Sequence, residues 1–334
     1  MERRLCGDSG IALSILGIGC WSFGGSGDDY WGPQDEWDAA DAVSAALDNG
    51  INYFDTAEMY NDGRSEESLG RALRGQRHRA IIGSKVSPAN TDPAILRQHC
   101  EASLRRLSVD AIDIYMVHWP ITDHSVEDAF LTLRALRDEG KVRAVGVSNH
   151  GVRQLTEAVS TGAPIAVNQL CFNLLSRAIE AEILPLCRQR NVGVIGYMPL
   201  QQGLLTGKYR SAEEVPWIRM RTRHFQGTRR GARHGEPGAE AEIFAALDGM
   251  RDLAGELNVP MGQLALAWAL ARPEITCVLA GARTAAQVAE NAAAARLALS
   301  PEVISKLDAL TDPVLRKLGS NADYWESTGN SRIR

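Results

Sequence analysis

The feature that most constrains the fold is an alternation of eight short apolar runs with amphipathic, helix-like stretches. The runs lack polar alternation, which is typical of parallel strands that are buried on both faces. Eight β/α units in one continuous alternation predict a closed (β/α)8 TIM barrel, whose active site lies at the C-terminal ends of the strands. The runs lie at residues 16–20, 51–56, 80–86, 112–119, 142–149, 164–170, 193–200 and 275–282.

The chain length agrees with one barrel domain. Barrels of this kind reach 334 residues as a single unit, so we predict one domain over residues 1–334. Two short apolar runs, 3–6 and 11–15, flank the turn sequence Gly-Asp-Ser-Gly at 7–10. This pattern predicts an N-terminal β-hairpin, and we expect it to plug one end of the barrel.

A long insertion separates the seventh strand from the eighth. It contains an Arg- and Gly-rich stretch at 210–238, followed by a further predicted helix at 239–256. We predict that 210–238 is a mobile rim loop, either a lid over the site or a disordered, solvated loop. Residues 313–334 form a C-terminal tail that reaches the cleft or a neighbouring subunit, or stays peripheral.

Composition and charge exclude several classes of protein. The net charge of -5 and the 45% hydrophobic content give no basis for nucleic-acid or membrane affinity. No run has the roughly 18 apolar residues of a membrane span, and the first ten residues lack an apolar leader segment. The six cysteines are scattered singly, which disfavours a disulfide framework or a metal site. We expect a cytoplasmic protein; its oligomeric state is open.

Four ionisable side chains lie at or just after the ends of three runs: Asp55, Tyr60, Lys85 and His118. The ordinary pKa of tyrosine is about 10, but a nearby ammonium lowers that pKa, and a carboxylate keeps the ammonium charged. A histidine on the next strand can orient a substrate oxygen. The set fits protonation of an oxygen during reduction of a carbonyl by hydride, which a bound cofactor must supply.

Strand parity supports one of these positions. His118 shares a face with Met116 and Ile114, so it lies at the rim if that face is the inner one. Alone, each of the four residues is more often a cap, a solvated charge or a satisfied polar group. Their convergence at adjacent strand ends favours a common site.

Several motifs now carry a resemblance. They are FDTAEMYNDGRSEESLGRAL at 54–73, GSKV at 83–86, DIYMVHWP at 113–120, GKVRAVGVSN at 140–149, VNQLCFNLLSR at 167–177, GYMPLQQGLLTGKY at 196–209 and LAGARTAAQVAEN at 279–291. In these motifs the chain resembles the aldo-keto reductase family, of the bacterial NADP(H)-dependent type. The resemblance implies an enzyme that reduces aldehydes or ketones, or oxidises the corresponding alcohols or sugars, by hydride transfer, with the four ionisable residues as its catalytic tetrad and Tyr60 as general acid and base.

The same resemblance implies a nicotinamide cofactor site. Ser148, Asn149 and Gln169 would hold the carboxamide of the nicotinamide, and Tyr197 would stack on its ring. The pyrophosphate would lie along residues 200–205. Arg283 would face the adenosine 2′-phosphate, which favours NADP(H) over NAD(H), and the start of a helix near Thr284 agrees with a phosphate there. The predicted cofactor residues are Trp21, Ser148, Asn149, Gln169, Tyr197, Leu200, Gly203, Leu205, Gly281, Arg283, Gln287 and Asn291.

The chain departs from the family pattern at four positions. Asn61 stands where Gly often follows the tyrosine, His150 where Phe is common, Met198 where a small polar residue is usual, and Ala280 where Pro is usual. None belongs to the tetrad. His150 and Met198 are expected to change how the nicotinamide end is held.

Three rival functions stay open at this point. A Rossmann dehydrogenase is disfavoured because the glycine-rich stretch at 17–25 reads G-x-G-x-x-S and opens no helix directly. A Schiff-base aldolase would use Lys85 as the nucleophile and Tyr60 as the proton carrier. An NADPH-binding regulatory subunit with little turnover would share the fold. The aromatic rim residues suit sugars, steroids and aromatic aldehydes alike, so they select no substrate.

Overall fold

Eight parallel strands close into a barrel behind an antiparallel hairpin in the computed structural model, which describes residues 1–27 and 29–334. This confirms the predicted (β/α)8 barrel with its hairpin. The hairpin strands are β1 (Arg3–Leu5) and β2 (Ala12–Ser14). The barrel strands are β3 (Leu16–Gly19), β4 (Tyr53–Asp55), β5 (Ile81–Val86), β6 (Ile112–Val117), β7 (Val142–Ser148), β8 (Ile165–Cys171), β9 (Gly193–Tyr197) and β10 (Cys277–Gly281). Strand β10 pairs with β3 and closes the ring.

Helices follow the strands on the outside of the barrel. Several begin at side chains that cap the free backbone N–H groups of the first turn, as Asp35 does before α1 and Thr284 does before α9. The helices are α1 (Glu36–Asp48), α2 (Arg64–Ala72), α3 (Pro93–Leu107), α4 (Val126–Asp138), α5 (Val152–Ser160), α6 (Ile183–Gln189), α7 (Glu240–Glu256), α8 (Met261–Leu270), α9 (Ala285–Ala294) and α10 (Pro301–Leu318). No helix in the described ranges is both long enough and apolar enough to cross a bilayer.

The barrel interior is a separate apolar cluster that includes the hairpin. Side chains from the barrel strands, among them Tyr53, Ile114 and Met116, pack with Cys6, Ile11 and Leu13 of the hairpin region. Ile114 and Met116 thus lie on the inner face of β6, which meets the condition for a rim position of His118.

The hairpin closes the end of the barrel opposite the strand C-termini. Its turn residue Gly7 has φ +50, and a Cβ there would lie 2.4 Å from the Asn191 carbonyl oxygen, just before β9 begins. Only glycine combines this backbone conformation with so close an approach. The hairpin is thus the predicted plug.

The insertion after β9 contains the predicted further helix, α7, and packs against the tail. Within 210–238, Arg223 and His224 are buried, and Arg223 donates hydrogen bonds to the carbonyl oxygens of Leu318, at 2.8 Å, and Asn321, at 3.1 Å. These contacts join the insertion to the tail. The mobility of 210–238 stays a prediction.

Candidate active site

A buried ion pair lies at the centre of the site. Asp55 ends β4, Lys85 lies on the adjacent strand β5, and Nζ of Lys85 is 2.7 Å from Oδ2 of Asp55. The ammonium also donates to the carbonyl oxygen of Thr56 at 2.8 Å. Burial lowers the pKa of Lys85, but the Asp55 carboxylate and the Tyr60 hydroxyl raise that pKa by more, so the lysine stays charged.

Tyr60 follows β4 at the start of a 3-10 turn, Tyr60–Gly63, and its hydroxyl is 3.4 Å from Nζ of Lys85. The sequence predicted that the ammonium lowers the pKa of Tyr60. In the structure the pKa is raised, because burial raises it more than Lys85 lowers it, and Asp55 raises it further. The phenol is therefore fully protonated at neutral pH and can act as a proton donor.

His118 directly follows β6 and faces Tyr60 edge-on, with the ring centroids 5.6 Å apart and the planes at 76°. Burial, with a smaller effect of the Lys85 charge, holds the pKa of His118 well below its usual value, so the imidazole is neutral. Its Nδ1 is buried without a hydrogen-bond partner within the described ranges. The structure thus brings together all four ionisable residues that the sequence selected.

The three polar residues predicted to hold the nicotinamide carboxamide bind one another and the ion pair. Gln169 donates from Nε2 to Oδ1 of Asp55 at 2.8 Å, and Ser148 donates to the Gln169 carbonyl oxygen at 3.0 Å. Asn149 accepts from the Tyr197 hydroxyl at 2.8 Å. The sequence did not indicate the bond from Gln169 to Asp55, which ties the predicted carboxamide site to the ion pair.

Two cations, Lys208 and Arg219, lie beside the predicted pyrophosphate stretch, and neither was predicted from the sequence. Gly203 has φ +97, and a Cβ built on it would lie 2.9 Å from Nζ of Lys208 and 3.6 Å from Nη1 of Arg219. Leu200 and Leu205 are joined by a hydrogen bond from the Leu205 N–H to the Leu200 carbonyl oxygen at 3.2 Å. Lys208 ends the GLLTGK motif and could have been found there; nothing local distinguishes Arg219 from the other arginines of the insertion.

The predicted adenosine residues lie at the end of β10 and on α9. Asn291 donates to the Gly281 carbonyl oxygen at 3.2 Å, and Gln287 accepts from the backbone N–H of Arg283 at 2.8 Å. The Arg283 guanidinium contacts the loop that precedes α1, including Oε1 of Gln34 at 2.8 Å. No sequence pattern indicated this loop contact.

Aromatic rings border the cleft on two sides. Trp21 stacks on Tyr60 with 5.7 Å between ring centroids, and Asn61 fixes the Trp21 loop by donating to the Trp21 carbonyl oxygen at 3.0 Å. Asn61 has φ 50, a conformation that glycine or asparagine adopts readily, which explains why either residue suits this position.

The tail supplies the second aromatic side. Trp325 lies edge-on to Trp119, with centroids 5.9 Å apart, and is near parallel to Tyr197, with centroids 6.4 Å apart. The guanidinium of Arg332 also packs over the ring of Trp119, with its carbon atom 3.8 Å from the ring centroid. The tail therefore reaches the cleft.

Two further departures from the family pattern, His150 and Met198, have local roles. His150 is buried, its Nδ1 lies 2.9 Å from the Ser148 carbonyl oxygen, and burial lowers its pKa to about 4. Met198 has φ 57, and its carbonyl oxygen accepts from the Asn173 amide at 2.9 Å. Both residues support the loops beneath the predicted carboxamide site.

Comparison with known proteins identifies the family of this chain. The model of the aldo/keto reductase family matches residues 15–312. The chain belongs to the aldo/keto reductase family. It is accordingly an oxidoreductase by family, and the match extends over the barrel, the insertion and most of α10.

Individual relatives cover nearly the whole chain. An NADH-specific methylglyoxal reductase from Escherichia coli K12 is 32% identical over 326 residues, covering 90% of this chain and 95% of that protein. A probable voltage-gated potassium channel subunit beta from Arabidopsis thaliana is 29% identical, covering 92% of this chain and 96% of that protein. An aldo-keto reductase from Klebsiella pneumoniae, solved in complex with NADPH, has a TM-score of 0.73 at 28% identity, covering 100% of this chain and 99% of that one.

Proposed function

We propose that this protein reduces an aldehyde or ketone, or oxidises the corresponding alcohol, with Tyr60 as the group that gives or takes the proton. The observation that carries the proposal is the position of the Tyr60 hydroxyl, 3.4 Å from a buried ammonium that is itself paired with a carboxylate at 2.7 Å. A bound NAD(P)H would supply the hydride. Protonation of the developing alkoxide by Tyr60 completes the reduction.

Each of the other three residues then has a role around Tyr60. The Lys85 ammonium stabilises the phenolate that forms as the proton leaves, and Asp55 keeps that ammonium charged in a buried position. His118 is neutral, so it can donate a hydrogen bond to the carbonyl oxygen without adding a second charge next to Lys85.

The chain offers a continuous set of groups that fit a dinucleotide. Tyr197 presents a ring beside the polar group of Ser148, Asn149 and Gln169, and this end would hold the nicotinamide. Lys208 and Arg219 flank Gly203 with the positive charge that a pyrophosphate requires. Arg283, Gln287 and Asn291 at the start of α9 would hold the adenosine, and the guanidinium would face a 2′-phosphate.

The substrate we propose is a small carbonyl compound that fits among aromatic rings. Trp21 stacks on Tyr60 on one side, and Trp119 and Trp325 lie on the other. The activity in the name of the Escherichia coli relative, reduction of methylglyoxal, involves such a compound. NADPH in the Klebsiella complex and the NADH specificity in that name together support a nicotinamide cofactor of either type.

A Tyr60→Phe variant tests the proton donor. We expect the rate of carbonyl reduction to fall by about 10²- to 10⁴-fold, while NADPH binding is retained. Absorbance at the nicotinamide band, with a panel of carbonyls and alcohols run in both directions, measures the rate and identifies the substrate class.

Tyr115→Phe is the matched control. The Tyr115 hydroxyl is buried on β6 without a hydrogen-bond partner in the part of the chain that the structure describes, so its removal should leave turnover unchanged. Full turnover by Tyr60→Phe with an accepted aldehyde would show that another group donates the proton.

A regulatory role without turnover is the second candidate, and the similarity to a potassium channel subunit beta favours it. It predicts tight nucleotide binding with no oxidation on any carbonyl of the panel. The aldolase alternative is disfavoured, because Lys85 stays charged and is engaged by Asp55, whereas a Schiff base requires a free amine.

A further inference from the structure

The guanidinium of Arg283 is occupied by the chain itself. Its Nε donates to Oε1 of Gln34 at 2.8 Å, its Nη1 to the carbonyl oxygen of Trp31 at 2.9 Å, and its Nη2 to the carbonyl oxygen of Pro33. Gln34 also donates from Nε2 to the Arg283 carbonyl oxygen at 2.9 Å. Three oxygens of one loop therefore surround the cation that we place at the 2′-phosphate.

These three oxygens are neutral, so the charge of Arg283 is not compensated. Within residues 1–27 and 29–334 no carboxylate forms an ion pair with this guanidinium. Arginine forms its strongest hydrogen bonds with anionic oxygens, and phosphate presents several of them to one guanidinium. A phosphate is therefore a better partner for Arg283 than the loop is.

The loop is a strap that crosses the cleft. We call residues 29–34 the strap. Asp29 accepts from Nη2 of Arg64 at 2.8 Å on one side, and the Tyr30 hydroxyl contacts Oε1 of Gln202 and the Ile218 carbonyl oxygen on the other. Because the strap is not part of any barrel strand, it can release Arg283 without disturbing the barrel.

We infer that the strap competes with the cofactor 2′-phosphate for Arg283, and that Gln34 is a residue that sets the preference between NADPH and NADH. NADPH must exchange the strap oxygens for its phosphate, whereas NADH leaves the strap on Arg283. The protein then accepts both nucleotides, and its preference for NADPH is smaller than Arg283 alone would give. This inference rests on the proposed function, which places the adenosine next to α9.

Two substitutions of Gln34 move the competition in opposite directions. Gln34→Ala removes one strap oxygen, so the dissociation constant for NADPH should fall by about three- to tenfold. Gln34→Glu replaces a neutral competitor with a carboxylate, so that constant should rise by about tenfold or more. The dissociation constant for NADH should change by less than about twofold in Gln34→Ala, because NADH has no 2′-phosphate to compete with the strap. Misfolding cannot produce both shifts.

Isothermal titration calorimetry with NADPH and with NADH measures these constants directly, without turnover. The same titrations on Arg283→Ala and on the double variant Arg283→Ala, Gln34→Ala complete a double-mutant cycle. In the absence of Arg283, Gln34→Ala should no longer change the dissociation constant for NADPH. Gln76→Ala is the matched control, since Gln76 also accepts from an arginine, Nη1 of Arg79 at 3.0 Å, but lies beside Ser44 near the C-terminal end of α1.

The outcomes separate the two proposals. If neither nucleotide binds, the proposed cofactor site is wrong. It is also wrong if Arg283→Ala leaves unchanged the dissociation constant for NADH divided by that for NADPH. A second set of outcomes applies when Arg283→Ala does lower the dissociation constant for NADH divided by that for NADPH. If Gln34→Ala then weakens NADPH binding, changes both dissociation constants equally, or has the same effect without Arg283, the strap does not compete and this inference is overturned.

Discussion

The two ends of the proposed cofactor site hold their cations in different ways. Lys85 is fully buried between two barrel strands and is paired with a carboxylate, whereas Arg283 lies at a partly exposed rim and is bound by neutral oxygens of a loop. A buried charge without a partner is costly, so the first arrangement is fixed by the fold. An exposed guanidinium can change partners at little cost, so the second arrangement can be adjusted without affecting the chemistry.

The largest effect is expected where the fold fixes the charge. Lys85→Met leaves the Asp55 carboxylate buried and unpaired, which should lower the free energy of unfolding by about 3–5 kcal/mol. Loss of the ammonium should also reduce turnover by about 10²-fold or more. Urea unfolding and steady-state rates measure the two effects.

Lys141→Met is the control for that substitution. Lys141 pairs with Glu101 at 2.6 Å, but both side chains are partly exposed, so the free energy of unfolding should change little. If both variants were equally destabilised, burial would not be what distinguishes the Lys85 pair.

The pH dependence should differ between the two reaction directions. Burial raises the pKa of Tyr60, so the phenol stays protonated above the usual pKa of tyrosine, and reduction should be flat from about pH 6 to 9. Alcohol oxidation requires the phenolate, so kcat/KM should rise by about tenfold per pH unit over that range. An oxidation rate that levels off near neutral pH would show that cofactor binding lowers the pKa of Tyr60.

At the pyrophosphate position the expected effect is smaller and is the same for NADPH and NADH. Lys208→Met removes a cation that both nucleotides would use, so NADPH and NADH should each bind about tenfold more weakly. Their ratio should stay constant, in contrast to Arg283→Ala. Calorimetry measures both, and a change in the ratio would place Lys208 at the 2′-phosphate instead.

The smallest effect is expected at the part of the nicotinamide end that the tail supplies. Trp325→Ala removes a ring beside Trp119 and Tyr197, so KM for aromatic aldehydes should rise by roughly two- to tenfold with kcat little changed. KM for a small aliphatic aldehyde should change less. Equal changes for both substrates would mean that Trp325 supports the fold and does not contact the substrate.

The residues at the strand-built end of the site were predictable from the periodicity of the sequence, whereas the contact of the strap with Arg283 at the loop-built end was not. Apolar runs and their parity located β4, β5 and β6, and with them Asp55, Lys85 and His118, because strand spacing is periodic. The contact between Gln34 and Arg283 joins residues 249 positions apart in two irregular loops, for which no periodic pattern exists.

Burial explains why the pKa of Tyr60 is raised although Lys85 lowers it, as the sequence predicted. The sequence showed that an ammonium would be near the phenol, and the structure places it there. The extent to which the surrounding protein excludes water from Tyr60 depends on packing from several elements, including Trp21 in the turn after β3. The total effect of burial on the pKa of Tyr60 therefore cannot be predicted from any single motif.

The hairpin has a consequence for the order in which the chain is assembled. Asp8 in its turn is bonded to Asn191, 183 positions later. The hairpin strands precede the barrel strands in the chain, so they cannot dock on the barrel until β8 and β9 have been synthesised and have joined the ring. Until then the apolar side chains of Ile11 and Leu13 lack their partners inside the barrel, so docking of the hairpin is a late step of assembly that depends on β9.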